Sequence, residues 1–213
     1  MARPTTSTLL PAKSVIPVVT IDRLDDAVPL AEALIAGGIT AIEVTLRTEA
    51  GLGAIQAIAA TFPDAVIGAG TVLTPGQMTE AAEAGAAFLV SPGLTDPLAE
   101  ASQNVGIPYL PGVATATEVM QARDYGFTEL KFFPAESAGG KKALSGLAAV
   151  FPDLVFCPTG GVSVSSAPDY FAIPSVFAVG GSWLTPKGAI ADKDWHAIRS
   201  LAEAAAQLGT VVR

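Results

Sequence analysis

Short apolar runs, rich in β-branched residues, alternate along the chain with Ala-rich segments of helical period. The apolar runs have the length of buried strands, and glycine or proline stands at many of the boundaries, where both residues favour helix starts and C-caps. Eight such βα units in one chain predict a parallel sheet covered by helices. A (β/α)8 TIM barrel is the expected fold, and a doubly wound open sheet is the alternative.

The predicted elements fill most of the 213 residues. The predicted strands cover 15–21, 41–47, 66–72, 88–91, 109–113, 129–134, 155–160 and 176–180. The predicted helices cover 25–36, 53–60, 75–84, 96–103, 116–125 and 141–150, with a further amphipathic helix around 194–199. An extra N-terminal helix around 7–13 is expected to cap the lower end of the barrel. Because no linker interrupts the pattern, residues 1–213 are interpreted as a single domain.

Composition narrows the possible partners and location. Half of the residues are hydrophobic, 15% are charged and the formal net charge is −8. This charge argues against a nucleic acid or an anionic membrane as partner. No apolar run reaches the length of a membrane span, and the first residues lack a signal-peptide core. Because a single cysteine, Cys157, cannot form an intrachain disulfide, a cytoplasmic location is expected.

The chain contains one histidine, His196, in the predicted C-terminal helix. A His-rich metal site is therefore excluded, and a Ser-His-Asp or Cys-His-Asn triad would depend on this residue alone. We expect His196 to be an ordinary helix residue. Any chemistry then falls to lysine, carboxylate, arginine and hydroxyl groups, without a metal ion or a cofactor.

Lys131 lies alone among apolar residues in a predicted strand, Thr128-Glu129-Leu130-Lys131-Phe132-Phe133-Pro134. An ammonium group is seldom buried without a partner, and burial favours the neutral amine, which attacks carbonyl carbons. One alternative is a lysine whose head reaches solvent along its apolar stem. Strand alternation decides against it, because apolar Leu130 and Phe132 take the helix-facing side and leave Lys131 and Phe133 facing inward.

The same alternation places two further charged residues inside the predicted barrel. In the segment 41–47 the even positions are apolar, so Glu43, Thr45 and Arg47 share the inward face with Lys131. Burying such a set is costly for packing alone, and perturbed charges gather in active sites. A structural ion-pair network low in the barrel is the alternative.

Two Gly-Gly pairs end the last two predicted strands, each beside a hydroxyl-bearing residue. They stand in Pro158-Thr159-Gly160-Gly161 and in Gly180-Gly181-Ser182. In barrels the loops after strands seven and eight often hold a phosphate, which contacts backbone N–H groups that glycine leaves accessible. A single Gly-Gly usually marks only a tight turn, but the two together favour a phosphorylated substrate.

Nearly the whole chain, least clearly before about residue 15, resembles the class I aldolases that act on 2-keto-3-deoxy-6-phosphogluconate (KDPG) and 4-hydroxy-2-oxoglutarate (KHG). The motifs that carry the resemblance are Gly37-Gly38-Ile39, Glu43-Val44-Thr45-Leu46-Arg47-Thr48, Gly68-Ala69-Gly70-Thr71-Val72-Leu73, Ser91-Pro92-Gly93-Leu94-Thr95, Lys131-Phe132-Phe133-Pro134-Ala135-Glu136, Cys157-Pro158-Thr159-Gly160-Gly161 and Gly180-Gly181-Ser182-Trp183-Leu184. The resemblance implies a TIM barrel, a homotrimer and a cytoplasmic enzyme of the Entner–Doudoroff pathway that needs no metal.

The resemblance also implies roles for individual residues. Lys131 is expected to form a Schiff base with the substrate's C2 carbonyl, and Glu43 to act as general acid and base. Arg47 is expected to bind the substrate carboxylate. The other implied substrate-binding residues are Thr71 and Pro92 at the pyruvyl end, Phe133 at the imine, Thr159 near the C4 hydroxyl, and Gly160, Gly161 and Ser182 at the phosphate.

The expected reaction is cleavage of KDPG to pyruvate and glyceraldehyde 3-phosphate. The same lysine could serve a KHG aldolase or an aldolase for the galactonate-derived epimer of KDPG, and the Gly-Gly loops favour a phosphorylated acid over KHG. An alternative from another class is a non-catalytic phosphosugar-binding barrel. The set of Lys131, Glu43 and Arg47 argues against it, because a binding protein has no need of a buried lysine.

Overall fold

The computed structural model describes residues 4–209, which form an α/β fold with a curved parallel sheet. The strands are β1 (Ser14–Val19), β2 (Ala41–Thr45), β3 (Val66–Gly70), β4 (Phe88–Val90), β5 (Tyr109–Leu110), β6 (Gly112–Val113), β7 (Glu129–Phe132), β8 (Val155–Pro158) and β9 (Ala178–Gly181). The α-helices are α1 (Ala27–Ala36), α2 (Gly51–Thr61), α3 (Pro75–Glu83), α4 (Asp96–Ala101), α5 (Ala116–Asp124), α6 (Gly140–Val150), α7 (Ala167–Phe171), α8 (Lys187–Ala191) and α9 (Trp195–Leu208). Two short 3-10 helices cover Thr6–Leu9 and Leu24–Asp26.

The strands form two parallel groups, with the orders β5-β4-β3-β2-β1-β9 and β6-β7-β8. Only Pro111 separates β5 from β6, and isolated parallel bridges join Phe156 to Val176 and Thr159 to Gly180, next to β9. The prediction of a helix-covered parallel sheet is confirmed. Its curvature is strong enough that side chains of β2 and β7, which are not neighbours in either group, meet across the interior.

Side-chain alternation sorts the core into two clusters. Ile42 and Val44 of β2 pack in the outer cluster, together with helix residues such as Leu34 and Ile55. The inner cluster consists of Ile16, Ala41, Phe88, Val90, Leu110, Cys157 and Ala178. The inward-facing charged residues Glu43 and Lys131 therefore lie next to a layer of buried apolar side chains.

Most predicted strands extend past the observed strand ends. The segment predicted as 41–47 ends at Thr45, and the one predicted as 66–72 ends at Gly70. The predicted strand 109–113 is divided at Pro111, which has no N–H to donate to a ladder. The segment predicted as 176–180 begins regular pairing only at Ala178. These differences matter, because side chains beyond a strand end no longer obey its alternation.

The extra N-terminal helix is shorter than predicted. In place of a helix over 7–13, a single 3-10 turn covers Thr6–Leu9, because Leu10 precedes a proline and takes extended backbone angles (φ −123°, ψ 146°). The Glu129 carboxylate at the start of β7 accepts hydrogen bonds from the Ser7 N–H, at 3.0 and 3.3 Å, and from its hydroxyl. Leu9 and Leu10 pack on the inner cluster, so the segment covers the end of the sheet where the strands begin.

The remaining helices complete the outer layer. His196 is exposed on α9, as expected of an ordinary helix residue. The five-residue helices α7 and α8 were not delimited from the sequence, because they are too short to establish a helical period. Within residues 4–209, no helix has both the length and the apolar character needed to cross a membrane.

Candidate active site

A buried ion pair lies at the centre of the site. Lys131 on β7 and Glu43 on β2 are only 4% and 3% exposed, and the Lys131 Nζ donates a hydrogen bond to Glu43 Oε1 at 3.1 Å. Lys131 pairs in register with Cys157 on one side and with Gly112 on the other, and the curvature of the sheet brings it opposite Glu43. The prediction that both residues face one interior is confirmed.

Glycines on β3 make room for inward-facing side chains of the neighbouring strands, one of which is Glu43. A Cβ on Gly70 would lie 2.2 Å from Glu43 Oε1, and one on Gly68 would lie 2.2 Å from the Phe88 ring. Both positions face inward, whereas Ala69 between them packs in the outer cluster. The Gly68-Ala69-Gly70 motif thus has a steric cause, since the Glu43 carboxylate occupies space that a side chain at residue 70 would fill.

Phe133 covers the lysine head. The Lys131 Nζ lies 5.1 Å from the Phe133 ring centroid, within the range of a cation–π contact. The Phe133 N–H donates to the Val113 carbonyl at 3.0 Å, which extends the ladder just past the end of β7. The ring also lines a cavity, so Phe133 separates the buried ion pair from the open part of the site.

Arg47 lies at the mouth of the site instead of in its buried interior. The residue is exposed, because β2 ends at Thr45 and the chain has begun to turn. Its Nε donates a hydrogen bond to Thr71 Oγ1 at 3.1 Å. Thr71 itself follows Gly70 and has φ +58°, a left-handed conformation that is uncommon for a β-branched residue. Local strain of this kind clusters at functional sites.

A cavity of about 690 Å³ opens at the carboxyl ends of the strands. Six of the predicted site residues line it: Arg47, Phe133, Thr159, Gly160, Gly161 and Ser182. Its wall at β8 is a turn in which Gly160 and Gly161 have φ +99° and +80°, a region that favours glycine. Lys131 and Glu43 lie deeper, below the lining residues.

Thr159 and Pro92 differ in their relation to this cavity, which Thr159 lines. Thr159 is 4% exposed. Its hydroxyl packs closely against Gly180, where a Cβ would lie 2.2 Å from the Thr159 Oγ1. Pro92 is not among the residues that line the cavity. Its carbonyl packs on Gly112, where a Cβ would lie 2.2 Å from the Pro92 oxygen, and Gly112 is the register partner of Lys131.

Residues that follow β1 and residues around the start of α8 were not predicted from the sequence to belong to the site. The Thr20 and Thr45 hydroxyls are 3.0 Å apart and link the ends of β1 and β2. Thr20 directly follows β1 and Arg23 lies a few residues further on, near the strand end where barrel sites gather, so their position was the available signal. The unpredicted polar residues that line the cavity are Thr20, Asp22, Arg23, Asp26, Thr185 and Lys187.

The described part of the chain contains no group of three or more His, Cys, Asp or Glu side chains that could hold a metal ion. Cys157 is 2% exposed beneath the ion pair, and burial raises the pKa of its thiol to about 12. This thiol therefore stays protonated near neutral pH. The amine and the carboxylate are the groups suited to chemistry on a carbonyl compound.

Comparison with known proteins agrees with this geometry. Residues 7–201 match the family model for KDPG and KHG aldolase. The chain belongs to this family. It is 49% identical over 199 residues to the KHG/KDPG aldolase of Escherichia coli K12, which covers 93% of each chain.

Two solved structures of the family are also similar. One is a KDPG aldolase from Legionella pneumophila in which pyruvate is captured as a covalent carbinolamine (TM-score 0.91, 47% identity, 93% of this chain and 97% of that chain). The other is the KDPG aldolase of Zymomonas mobilis ZM4 with 3-phosphoglycerate (TM-score 0.88, 46% identity, 93% of each chain). The chain is therefore an aldolase, a lyase, and the family resemblance drawn from its motifs is confirmed.

Proposed function

We propose that the protein is a class I aldolase that cleaves KDPG to pyruvate and glyceraldehyde 3-phosphate. The observation that carries the proposal is the buried Lys131–Glu43 pair, with a 3.1 Å contact, next to a cavity that ends in a Gly-Gly turn. A buried ion pair contributes little to stability compared with apolar packing, so its presence calls for a chemical role. The Legionella relative with a pyruvate carbinolamine supports the covalent route.

In the first half of the reaction, Lys131 Nζ attacks the C2 carbonyl of the keto acid. Glu43 Oε1 is within hydrogen-bond reach of Nζ, at 3.1 Å; it takes a proton from the Lys131 ammonium to free the attacking amine and passes this proton to the C2 oxygen as the carbinolamine forms. Glu43 then takes a second proton from the carbinolamine nitrogen and donates it to the C2 hydroxyl, which leaves as water. The product is a protonated imine that joins C2 to Lys131, and it acts as an electron sink.

In the second half, Glu43 removes the C4 hydroxyl proton, directly or through a water. The C3–C4 bond breaks, its electron pair moves into the imine, and glyceraldehyde 3-phosphate departs. Protonation at C3 and hydrolysis of the imine then release pyruvate and free Lys131. Phe133, which covers the Nζ at 5.1 Å, keeps bulk water from the imine region.

The two ends of the substrate are assigned to the two sides of the cavity. Arg47, held by Thr71 at 3.1 Å, offers a planar guanidinium to the carboxylate. Thr71 and the Pro92 turn hold the pyruvyl end, and Thr159 lies near the C4 hydroxyl. The phosphate is assigned to other residues that line the cavity, namely Gly160, Gly161 and Ser182.

This phosphate site favours KDPG over KHG as the preferred substrate, because KHG has no phosphate for the Gly-Gly turn to bind. The Zymomonas relative with 3-phosphoglycerate supports a phosphorylated ligand. We further propose that the curved sheet closes as a TIM barrel, that residues 1–213 form one domain, and that the enzyme works as a cytoplasmic homotrimer. The bridges next to β9 and the short gap between β5 and β6 support closure.

Trapping the imine tests the chemistry. The protein is incubated with pyruvate, reduced with borohydride, and measured by intact mass and peptide mapping. We expect one reduced pyruvyl group on Lys131 and none in a Lys131→Met variant. Unmodified Lys131 under conditions that give turnover would overturn the class I mechanism.

Substrate choice is tested by comparing kcat/KM for KDPG, its C4 epimer and KHG. We expect KDPG to be preferred, and Ser182→Ala to lower kcat/KM for KDPG while leaving the value for KHG nearly unchanged. If KHG were the better substrate and Ser182→Ala affected both acids equally, the phosphate assignment would be wrong.

A further inference from the structure

The Gly160-Gly161 turn needs an external support. Both residues have left-handed backbone angles, and glycine is the residue with the greatest backbone freedom. A turn of this kind can present its N–H groups to an anion only if neighbouring groups fix it. Preorganised donors bind and stabilise charge better than mobile donors.

The segment after β7 supplies part of this support through its backbone. The Ala135 N–H donates to the Thr159 carbonyl at 2.8 Å, and the Glu136 N–H donates to the Gly160 carbonyl at 3.0 Å. These bonds join the turn to the segment that follows the strand carrying Lys131. The distance between the two ends of the site is thereby set by one short stretch of chain.

The Glu136 side chain completes the support. A Cβ on Gly161 would lie 2.7 Å from Glu136 Cγ and 2.8 Å from its Cβ, so the Glu136 stem packs directly on Gly161. The Glu136 Oε1 accepts a hydrogen bond from the Tyr170 hydroxyl at 2.8 Å. Tyr170 lies in α7 and is 1% exposed, and burial raises the pKa of its phenol, which therefore remains a donor.

The negative charge of Glu136 indicates that this residue has a role in the site. Glu136 is exposed, and a carboxylate beside a site for a phosphate dianion weakens binding by like-charge repulsion. Because its charge weakens phosphate binding, we expect the Glu136 side chain to favour substrate binding in another way. Its side chain contacts the turn, Tyr170 and Gly140 at the start of α6.

We propose that Glu136 and Tyr170 are positioning residues that hold the Gly160-Gly161 turn at the correct distance from Lys131 for phosphorylated substrates. The inference rests on the proposed phosphate site. Tyr170 is anchored in the core, Glu136 connects it to the turn, and neither residue contacts the reacting carbons. Their loss should therefore affect the phosphate end of the substrate and leave imine formation intact.

Four variants separate this role from a merely structural one. Tyr170→Phe removes the hydroxyl and Glu136→Ala removes the stem, whereas Glu136→Gln keeps an acceptor oxygen and serves as the conservative rescue. The control is Asp169→Asn, which breaks a neighbouring contact of α7, the 2.8 Å ion pair of Asp169 with Lys141 of α6. For each variant we measure kcat and KM with KDPG and with KHG, together with borohydride trapping of pyruvate.

We expect Tyr170→Phe and Glu136→Ala to raise KM for KDPG on the order of 3- to 10-fold, the effect of losing one hydrogen bond. Their kinetic values for KHG and their trapping of pyruvate should match the parent enzyme. Glu136→Gln and Asp169→Asn should leave KM for KDPG within about 2-fold, less than the loss of one hydrogen bond.

Two results would overturn the inference: equal losses with both acids, or unchanged KM for KDPG in both Tyr170→Phe and Glu136→Ala. Ser182→Ala identifies which statement has failed. If Ser182→Ala discriminates between KDPG and KHG and the Glu136 and Tyr170 variants do not, only the positioning role is wrong. If Ser182→Ala also fails to discriminate, the phosphate assignment itself is wrong.

Discussion

Replacing Gly70 with alanine should displace the catalytic carboxylate without removing it. The new Cβ would lie 2.2 Å from Glu43 Oε1, 2.6 Å from Cγ and 2.7 Å from Cδ. Since Cβ contacts under 3.0 Å are essentially never seen, the carboxylate must retreat by at least about 0.8 Å. Its contact with Lys131 Nζ starts at 3.1 Å, so a shift of this size disrupts the hydrogen bond.

A misplacement of about 1 Å at a reacting centre can lower the rate on the order of 10²-fold. We therefore expect kcat of Gly70→Ala for KDPG to fall by roughly that factor, and the rate of borohydride-trappable imine formation to fall with it. The assay couples pyruvate release to lactate dehydrogenase, and thermal unfolding is measured in parallel to confirm that the variant is folded.

The matched control is Gly146→Ala in α6, where a Cβ would meet nothing within 4 Å. It should leave kcat unchanged and raise stability by about 0.5–1 kcal/mol, because alanine favours helix. A folded Gly70→Ala enzyme with a kcat within about threefold of the parent would refute the reasoning, because a 10²-fold loss is expected if proton transfer depends on the Glu43 position.

Four further predictions concern single groups. Glu43→Gln should still bind pyruvate yet lose turnover on the order of 10²- to 10⁴-fold in steady-state assays; unchanged turnover would remove Glu43 from its role. Cys157 should resist a thiol reagent at pH 8 in the folded protein and react once guanidinium unfolds it, because burial raises its pKa to about 12. Thr115→Ala should lower the free energy of unfolding by about 1 kcal/mol, because it removes the N-cap of α5. At that capping box burial opposes ionisation of Glu118, but hydrogen bonds from backbone N–H groups lower its pKa overall. The stabilising effect of Glu118 relative to Glu118→Gln is therefore present near neutral pH and should be lost as the pH falls through the folded pKa, which urea titrations from pH 7 to pH 3 would measure.

Strand alternation was sufficient to predict which residues share the interior. Apolar Ile42 and Leu130 mark the helix-facing side, so Glu43 and Lys131 had to face the other way, and the structure places them 3.1 Å apart. For Arg47 the rule predicted the correct side, because the residue lines the cavity, but it did not predict that Arg47 is exposed at the mouth. Alternation holds only while ladder bonds keep the chain extended, and β2 ends two residues earlier.

The contacts that hold the Gly160-Gly161 turn in place were harder to predict from the sequence. Glu136 reads as an ordinary charged residue near a helix start, and its link to Tyr170 joins positions 34 residues apart. The N-terminal helix was overestimated, because a proline at position 11 forces Leu10 into extended backbone and ends the turn. The short helices α7 and α8 gave no period from which they could be recognised.

The sequence by itself determined the alternation of strands and helices, the inward lysine and carboxylate, and the glycine-rich strand ends. Each of these depends on local periodicity or on the conformational freedom of one residue type, and both can be read from neighbours along the chain. Tertiary structure decided the 3.1 Å contact across 88 residues, the steric need for Gly70, the exposure of Arg47 and the support that Glu136 gives the Gly160-Gly161 turn. These depend on how strongly the sheet curves and on which distant atoms then compete for the same space, which no local pattern specifies.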